Sequence, residues 1–319
     1  MACERFLRST IACWMLAGSF SFRISYGQDI WFSPRSGPEG ATDYYGLFES
    51  GAPWQRAASH VKAFGLSIQL ETDASDEQLK KVIDGLRDRH IALMLDMLPL
   101  SGPVTRSDKH CGGNVEGYSA PLQSLWVAKR FKALGGDVVY YAMDEPLWFG
   151  HFFNGANACH SSVEALIADI GKKVDDIRSQ YPAAEIGDVE PMGVINSGLS
   201  DLEKWLDAFQ AATGKPLSFL CLDMDWTAQW QSQVVAVAQL LKRKGVHLQV
   251  IYNASDREKS DKEWTSHALA NAKALQAVVK PDVAVIESWN NYPKRVLPET
   301  DPTTMTGLIY QYLATRGAR

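Results

Sequence analysis

The chain has 319 residues, of which 46% are hydrophobic and 22% are charged, values that are ordinary for a globular protein. Its formal net charge is −5 and it contains no basic run, which disfavours nucleic acid or an anionic membrane surface as a partner.

The first 27 residues are predicted to be a secretory signal peptide. Arg5 and Arg8 provide a positive start, residues 11–20 provide a short apolar core, and residues 25–27 place small side chains where a signal peptidase reads them. The apolar run is too short for a membrane-spanning helix, although an uncleaved anchor is the alternative. We therefore expect a secreted or periplasmic protein, with residues 28–319 as one catalytic domain.

The remaining chain alternates between short apolar runs and amphipathic stretches, which is typical of parallel strands covered by helices. Strands are predicted at 29–33, 66–71, 91–97, 138–143, 185–190, 217–223, 247–252 and 283–288. Helices are predicted at 76–88, 161–181, 202–213, 231–244, 261–279 and 303–315. Eight such units in roughly 290 residues favour an α/β fold with a single (β/α)8 TIM barrel. An open doubly wound sheet is the alternative, but no glycine-rich fingerprint follows the first strand.

The cysteines left after signal cleavage predict one disulfide bond. Cys111 and Cys159 both lie in Gly- and Asn-rich segments, and in an oxidising compartment such loop cysteines are expected to pair. Cys221 lies in an apolar run and should be a buried free thiol. Neither loop cysteine has a second cysteine at ligand spacing, and the histidines are scattered, so we expect no metal and no cofactor.

Acidic and aromatic residues are concentrated where the predicted strands end. In a (β/α)8 barrel the active site lies at the carboxyl ends of the strands. Flat rings pack against the CH faces of sugars, while carboxylates accept hydrogen bonds from hydroxyl groups, so this pattern predicts a carbohydrate site. The polar candidates are Glu71, Asp96, Asp144, Glu145, Glu190, Asp223, Asp225, Asn253 and Glu287, and the aromatic candidates are Trp31, Trp148, Trp226, Trp289 and Tyr292.

Two short motifs carry a resemblance to a known superfamily. Asp144-Glu145-Pro146 resembles the Asn-Glu-Pro of retaining (β/α)8-barrel glycoside hydrolases, whose Glu is the acid/base. Glu287-Ser288-Trp289 is similar to the end of strand eight in those enzymes, where a Trp floors the sugar subsite. The resemblance implies a hydrolase that cleaves O-glycosidic bonds in a poly- or oligosaccharide with Glu145 as the acid. Together with the predicted signal peptide it predicts a secreted enzyme, which we expect to be a monomer.

The chain departs from that superfamily at two positions, which leaves the second catalytic carboxylate open. Asp144 replaces the usual Asn, and the seventh strand ends in Tyr252-Asn253, where the family has its nucleophilic Glu. Glu287 is the first choice because strand eight lies across the barrel from strand four. The other candidates are Glu190 on strand five and the pair Asp223 and Asp225 on strand six.

Three other interpretations of the same residues are open. The adjacent Asp144 and Glu145 also resemble the N-acetylhexosaminidases, in which the Asp orients the acetamide of the substrate as nucleophile. Asp96, Glu145 and Glu190 follow strands three, four and five, the order in which enolase-type barrels hold magnesium, but no strand end offers the Lys or His base of such enzymes. A barrel that has lost one catalytic acid is expected to bind glycans without cleaving them.

Overall fold

The computed structural model describes residues 28–37, 40–102, 110–120 and 122–316, and within them eight parallel strands close into a barrel. The predicted signal peptide lies outside these residues. Each strand pairs with its neighbours along the chain, and the first closes on the last, so the predicted (β/α)8 barrel is confirmed. The barrel strands are β1 (Asp29–Pro34), β2 (Val61–Leu66), β3 (Ala92–Met97), β4 (Val138–Asp144), β5 (Glu185–Pro191), β6 (Phe219–Asp223), β7 (His247–Tyr252) and β8 (Val283–Ser288). Outside the barrel, the short strands Leu100–Ser101 and Tyr118–Ser119 pair in parallel.

Helices cover the outside of the barrel between the strands. Several begin and end with the local signals that the sequence carries. Ser75 and Gln78 form a reciprocal cap on the helix Asp76–Asp88, while Gly214 and Gly245 adopt left-handed backbone after the helices Leu199–Thr213 and Gln231–Lys244. Among the described residues no helix is long and apolar enough to cross a membrane. The helices are α1 (Gln55–Ala58), α2 (Ile68–Asp73), α3 (Asp76–Asp88), α4 (Gln123–Ala133), α5 (Val163–Gln180), α6 (Met192–Ser197), α7 (Leu199–Thr213), α8 (Gln231–Lys244), α9 (Asp261–Gln276) and α10 (Met305–Arg316), with a 3-10 turn at Tyr44–Phe48 and a π-helical turn at Trp148–Phe152.

The second strand is where the sequence-based prediction was wrong. The strand is Val61–Leu66, and the segment predicted as strand 66–71 forms α2 instead. Ser67 caps this helix by accepting a hydrogen bond from the Leu70 backbone N–H at 3.5 Å. Arg130, from α4, donates to the Glu71 carbonyl at 2.8 Å and to the Ala74 carbonyl at 2.6 Å. The short helix therefore depends on a distant arginine, which no local pattern reveals.

Large aromatic side chains fill the lower interior of the barrel. The Trp31 ring lies 4.4 Å from the Tyr140 ring and 5.0 Å from the Phe219 ring, measured between centroids. A Cβ on Gly187 would lie 2.1 Å from the Phe219 ring, so only glycine fits there. Cys221 lies in the same interior cluster as a buried free thiol, as predicted. The lower interior is thus a packed core that supports the carboxyl ends of the strands.

The loops that follow β3 and β4 are joined covalently. Cys111 and Cys159 form a disulfide with their Cα atoms 4.8 Å apart, which confirms the predicted pairing. Two hydrogen bonds flank it: the Gly112 N–H donates to the Asn157 carbonyl at 2.8 Å, and the Asn157 side chain donates to the Gly113 carbonyl at 2.7 Å. The disulfide thereby stiffens one side of the barrel mouth.

Candidate active site

A cavity of about 340 Å³ opens at the carboxyl ends of the strands, and carboxyl groups line it. Because side chains alternate along a strand, a residue two positions beyond an inward apolar residue also points inward. Asp96 follows Met94 in this way, and the other strand carboxylates follow inward residues of the lower core likewise. The cavity therefore collects Asp96 from β3, Asp144 from β4, Asp223 from β6 and Glu287 from β8, together with Glu145 just after β4. We refer to it as the acid cavity.

Glu145 occupies a strained position at the end of β4. Its φ angle is 47°, a left-handed conformation that is unfavourable for a residue other than glycine. Its N–H still donates to the Val189 carbonyl at 3.1 Å, while its own carbonyl accepts from the Phe149 N–H at 3.0 Å. This sharp turn ends the strand and brings the Glu145 carboxyl to the wall of the acid cavity.

Glu190 does not face the acid cavity, so its assignment as a substrate ligand was wrong. Its side chain is fully buried and points away from the barrel interior. One carboxylate oxygen accepts from the Leu147 N–H at 2.6 Å and the other from the Trp148 N–H at 3.0 Å. Val189 takes the inward position on β5 instead. Glu190 therefore holds the turn that follows Glu145, and the enolase-type trio with Asp96 does not converge.

Glu71 was also predicted wrongly, since it lies in α2 and not at a strand end. It is fully buried, and one of its carboxylate oxygens accepts from the Asp96 backbone N–H at 2.7 Å. Burial, with a further contribution from the Asp96 charge, raises the pKa of Glu71. Its role is to position the backbone of Asp96.

The surroundings of the Glu145 carboxyl favour its protonated form. Burial raises its pKa to about 9, and the nearby charges of Asp144, Asp223 and Glu116 act in the same direction. Burial also raises the pKa of Asp144 to about 7, with the charges of Glu116 and Asp223 contributing. A neutral carboxyl beside an apolar wall is suited to donate a proton.

Among Asp144, Glu145, Asp223 and Glu287, the carboxyl of Asp223 has the smallest increase in pKa. Burial, with the charges of Glu116 and Asp225, raises its pKa only to about 6. Burial and the Asp223 charge raise the pKa of Glu287 to about 8, which a hydrogen bond from the Ser33 hydroxyl at 3.3 Å opposes. Around the closed barrel β6 lies midway between β4 and β8, and the charge of Asp223 acts on both Glu145 and Glu287.

Glu116 is a site residue that sequence reasoning missed. It lies in the disulfide-linked loop after β3, two residues before a short strand at Tyr118–Ser119 and outside the barrel strands, and it lines the acid cavity. The next residue, Gly117, has a φ of 79°, and a Cβ there would lie 3.1 Å from the Asp144 carbonyl oxygen. The loop can approach Asp144 closely because Gly117 has no side chain. The only sequence signal for this was the glycine beside an acid.

Four of the five aromatic candidates divide into three groups. Trp289 is 43% exposed and lines the mouth of the acid cavity, as a sugar platform would. Trp31 lies within β1 and is only 4% exposed, so it forms part of the cavity floor and is not an open platform after the strand. Trp148 packs on Gly193, and the Tyr292 carbonyl accepts from the Ser288 hydroxyl at 2.7 Å. Neither Trp148 nor Tyr292 lines the acid cavity, because their loops pack them against the core.

A second cavity of about 930 Å³ adjoins the acid cavity, and we refer to it as the side cavity. The two cavities share Asp223 and Trp289 as lining residues. The side cavity is polar, and within it the Trp226 indole N–H donates to the Asn253 side chain at 2.8 Å. Asp225 is exposed and accepts from the Thr227 hydroxyl at 2.6 Å. Asp225, Trp226 and Asn253 therefore lie beside the acid cavity and not within it.

Comparison with known proteins finds similarity in structure but not in sequence. No family model matches the chain, and no curated protein is similar to it in sequence. A glycoside hydrolase family 10 endoxylanase from a sugarcane soil metagenome is 10% identical, with a TM-score of 0.54, over 90% of this chain and 97% of that one. Xylanase 10B from Thermotoga maritima is 11% identical, with a TM-score of 0.52, over 91% and 96%. Fungal β-1,4-galactanases match at 10% identity, with a TM-score of 0.51, over 82% and 91%. At these identities the similarity shows the fold, which is the (β/α)8 barrel of these glycoside hydrolases.

Proposed function

We propose that the protein is a glycoside hydrolase that cleaves O-glycosidic bonds in an oligo- or polysaccharide. The observation that carries this proposal is the convergence of carboxyl groups from four strands and Glu145 in one cavity beneath Trp289. Glycoside hydrolysis needs one protonated carboxyl and one ionised carboxylate on either side of the bond. The xylanase and galactanase activities named for the structural neighbours support the same class of reaction.

Glu145 is the proposed general acid. With a pKa of about 9 it carries a proton at neutral pH. It transfers this proton to the glycosidic oxygen as the bond from that oxygen to the anomeric carbon breaks. Water supplies the hydroxyl group that ends on the anomeric carbon, and its second proton leaves to a carboxylate. One water is consumed, and two hydroxyl-bearing sugars are released.

Asp223 is the proposed ionised partner of Glu145. Burial raises the pKa of Asp223 to about 6 and that of Glu287 to about 8, so Asp223 loses its proton first as the pH rises. Asp223 also lies on β6, nearer to β4 around the barrel than β8 is. The earlier choice of Glu287 stays a prediction, and the same experiment tests both residues.

The test is hydrolysis of a glycan panel by the wild type, Glu145→Gln, Asp223→Asn and Glu287→Gln. Glu145→Gln is expected to lower kcat by about 10²–10⁴-fold, as for loss of a general acid. Asp223→Asn is expected to lose more activity than Glu287→Gln, and the reverse order would return the role to Glu287. Glu203→Gln, on the surface of α7, is the control that retains activity. Binding without hydrolysis by the wild type would identify a glycan-binding barrel instead.

The second candidate is a substrate-assisted N-acetylhexosaminidase. It is favoured by the inward side chain of Asp144 beside Glu145, and by the absence of an acid on β7 of the described barrel. In such an enzyme the Asp would orient the acetamide that attacks the anomeric carbon. Inhibition by a thiazoline mimic of the cyclised acetamide, lost in Asp144→Asn, would support this mechanism over the first.

Export from the cytoplasm completes the proposal. The disulfide between Cys111 and Cys159 supports an oxidising compartment, because such bonds are rare in the reducing cytosol. N-terminal sequencing of the protein from its native host is expected to find a mature chain that starts near Gln28. A start at Met1 would contradict cleavage.

A further inference from the structure

The acid cavity has a large excess of acidic side chains over basic ones. Among the described residues that line this cavity, none is a Lys, Arg or His. Arg35 lines an adjoining cavity that shares Glu287 and Trp289, and its guanidinium donates there to the Trp289 carbonyl at 2.6 Å. Within the acid cavity itself, each ionised carboxylate raises the energy of the others. The six carboxyl groups that face the cavity are Asp96, Glu116, Asp144, Glu145, Asp223 and Glu287.

Most of these carboxyl groups have no hydrogen-bond donor in the part of the protein that the structure describes. The Ser33 hydroxyl serves Glu287, but no described donor serves the carboxyl oxygens of Asp96, Asp144 or Asp223. The three side chains are only partly buried, and their oxygens face the cavity and not a protein partner. These oxygens are therefore available to a ligand inside the cavity.

A second polar group in the same cavity also lacks a partner. Gln249, on β7, is only 2% exposed and lines the cavity, yet its amide makes no hydrogen bond with any described residue. It points inward between Cys221 of β6 and Val283 of β8, its register partners. A buried amide in an apolar ring is costly unless something bonds to it. A hydroxyl-rich ligand that reaches the floor would do so.

A single metal ion does not fit this arrangement. In the described residues no three His, Cys, Asp or Glu side chains are placed to hold one metal ion together. The acids are instead spread around the rim of a cavity of about 340 Å³, with Trp31 in its floor and Trp289 at its mouth. A ligand with an apolar ring face for Trp289 and a cationic group for the acids is complementary to this lining.

We propose that the sugar bound in the acid cavity carries a free amine, as in the 2-amino-2-deoxyhexose units of a deacetylated polysaccharide. This proposal rests on the proposed glycoside hydrolase function and specifies its substrate. The ammonium group would lie against Asp96 and Glu287, with Gln249 bonding to a hydroxyl of the same ring. Glu145 and Asp223 then remain free to act at the glycosidic bond. A neutral acetamide or hydroxyl at that position would offer no opposite charge to the ionised form of these carboxyl groups.

The raised pKa values in the cavity agree with such a ligand. Burial and the charges of Glu287 and Asp144 raise the pKa of Asp96 well above its usual range. A neighbouring ammonium would favour the ionised form of these carboxylates and lower their pKa values. Binding of an amino sugar should therefore release protons from the protein.

Three β-1,4-linked hexasaccharides that differ only at carbon 2 test the proposal: those of glucosamine, N-acetylglucosamine and glucose. Binding is measured by titration calorimetry with Glu145→Gln, which prevents turnover, and hydrolysis is measured with the wild type. Galactosamine and galactose, as single sugars, cover the other common ring configuration. We expect roughly tenfold or tighter binding of the amine over its neutral partner, weakened by added salt.

The charge of the cavity is tested in a second set of variants on the Glu145→Gln background. Asp96→Asn is expected to reduce the preference for the amine several-fold, while Glu203→Gln on the surface leaves it unchanged. Glu287→Gln replaces Asp96→Asn if that variant does not fold. An unchanged preference in both cavity variants would overturn the assignment of the ammonium to this cavity.

The outcomes separate this proposal from the proposed function. Hydrolysis of glucose or N-acetylglucosamine oligomers, with binding as tight as or tighter than that of the amine, would overturn the amine and retain the hydrolase. Amine-selective binding without hydrolysis would support the amine and remove the hydrolase. Tight binding of Mg²⁺ or Ca²⁺ that Asp96→Asn abolishes, with no preference for the amine, would identify a metal site and overturn the proposal.

Discussion

The interior of the barrel has two layers of opposite character, although the same strands build both. The lower layer is apolar and packed, and includes Trp31, Ala142, Phe219, Ile251 and Val285. The upper layer, one inward position further along the strands, consists of Asp96, Asp144, Asp223 and Glu287 around an open cavity. Two residues along a strand, roughly 6.6 Å, are enough to change one layer into the other.

The two layers have opposite effects on the stability of the folded state. The lower layer excludes water and stabilises the barrel by burial of apolar surface. The upper layer brings like charges together in a partly buried space, which destabilises the folded state. Such a conflict between packing and charge is expected at a functional site.

The largest effect on stability should come from the lower layer. Phe219→Ala leaves a void beneath the acid cavity, beside Gly187 and Trp31, and is expected to lower the free energy of unfolding by about 3–5 kcal/mol. Chemical denaturation measures this loss. Phe219→Leu, which retains more of the volume, should lose less than about 2 kcal/mol. Equal losses in both variants would show that the layer is not tightly packed.

A substitution at Glu190 tests whether its side chain holds the turn that places Glu145 at the acid cavity. Glu190→Gln keeps the shape of the side chain but replaces one acceptor oxygen with an NH₂ group. That donor faces one of the two backbone N–H donors, of Leu147 or Trp148, and the hydrogen bond there is lost. A displaced turn misplaces Glu145, so kcat is expected to fall by about 10–100-fold while KM changes little. A variant that loses stability with kcat unchanged would show that Glu190 acts on folding alone.

Removing one charge from the upper layer should stabilise the protein while it removes activity. The pKa of Asp223 is raised to about 6, so Asp223→Asn is expected to increase the free energy of unfolding above neutral pH by about 1–3 kcal/mol. Thermal and chemical unfolding measure the gain. Asp225→Asn is the matched comparison for stability. Hydrogen bonds from the Thr227 hydroxyl and N–H lower the pKa of Asp225, which means that they stabilise its charged form. Asp225→Asn should therefore not increase the free energy of unfolding. A loss of stability in Asp223→Asn would contradict the charge conflict.

The same charges predict how the stability of the wild type depends on pH. The pKa values of Asp223, Asp144 and Glu287 are raised to about 6, 7 and 8, so the folded state binds protons more tightly than the unfolded chain. Their contribution is most favourable below the unfolded pKa values near 4 and is lost as the pH rises through the folded values. We expect a melting temperature that falls from about pH 5 to about pH 8. A melting temperature that rises over this interval would contradict the prediction.

The smallest effect is expected from a substitution of Glu116. This residue lies in the loop after β3, and its charge raises the pKa values of carboxyl groups at the upper layer. Glu116→Gln removes a charge that raises the pKa values of Glu145, Asp144 and Asp223. The alkaline limb of the pH–activity profile, which reports deprotonation of Glu145, should move to lower pH by less than about one unit. The activity profiles of variant and wild type measure this shift. An upward shift would contradict the proposed proximity.

Much of the fold follows from local patterns that the chain carries. The alternation of apolar runs with amphipathic stretches predicted β7 and β8 at their observed bounds, because their residues are buried on both faces. It failed at β2, where 66–71 looked like a strand. There the cap at Ser67 and the distant Arg130 stabilise a short helix.

The sequence by itself determined the barrel, the disulfide between Cys111 and Cys159, and the concentration of acids at one end of the strands. Only the tertiary structure decided which acids meet. Glu190 and Asp223 both come at the end of a strand, yet Glu190 points outward to bind backbone N–H groups and Asp223 points into the cavity. A shift of one residue in register reverses the face of a side chain, and register is set by pairing between strands distant in sequence. For the same reason Glu116 enters the site through a loop that the disulfide and Gly117 hold in place.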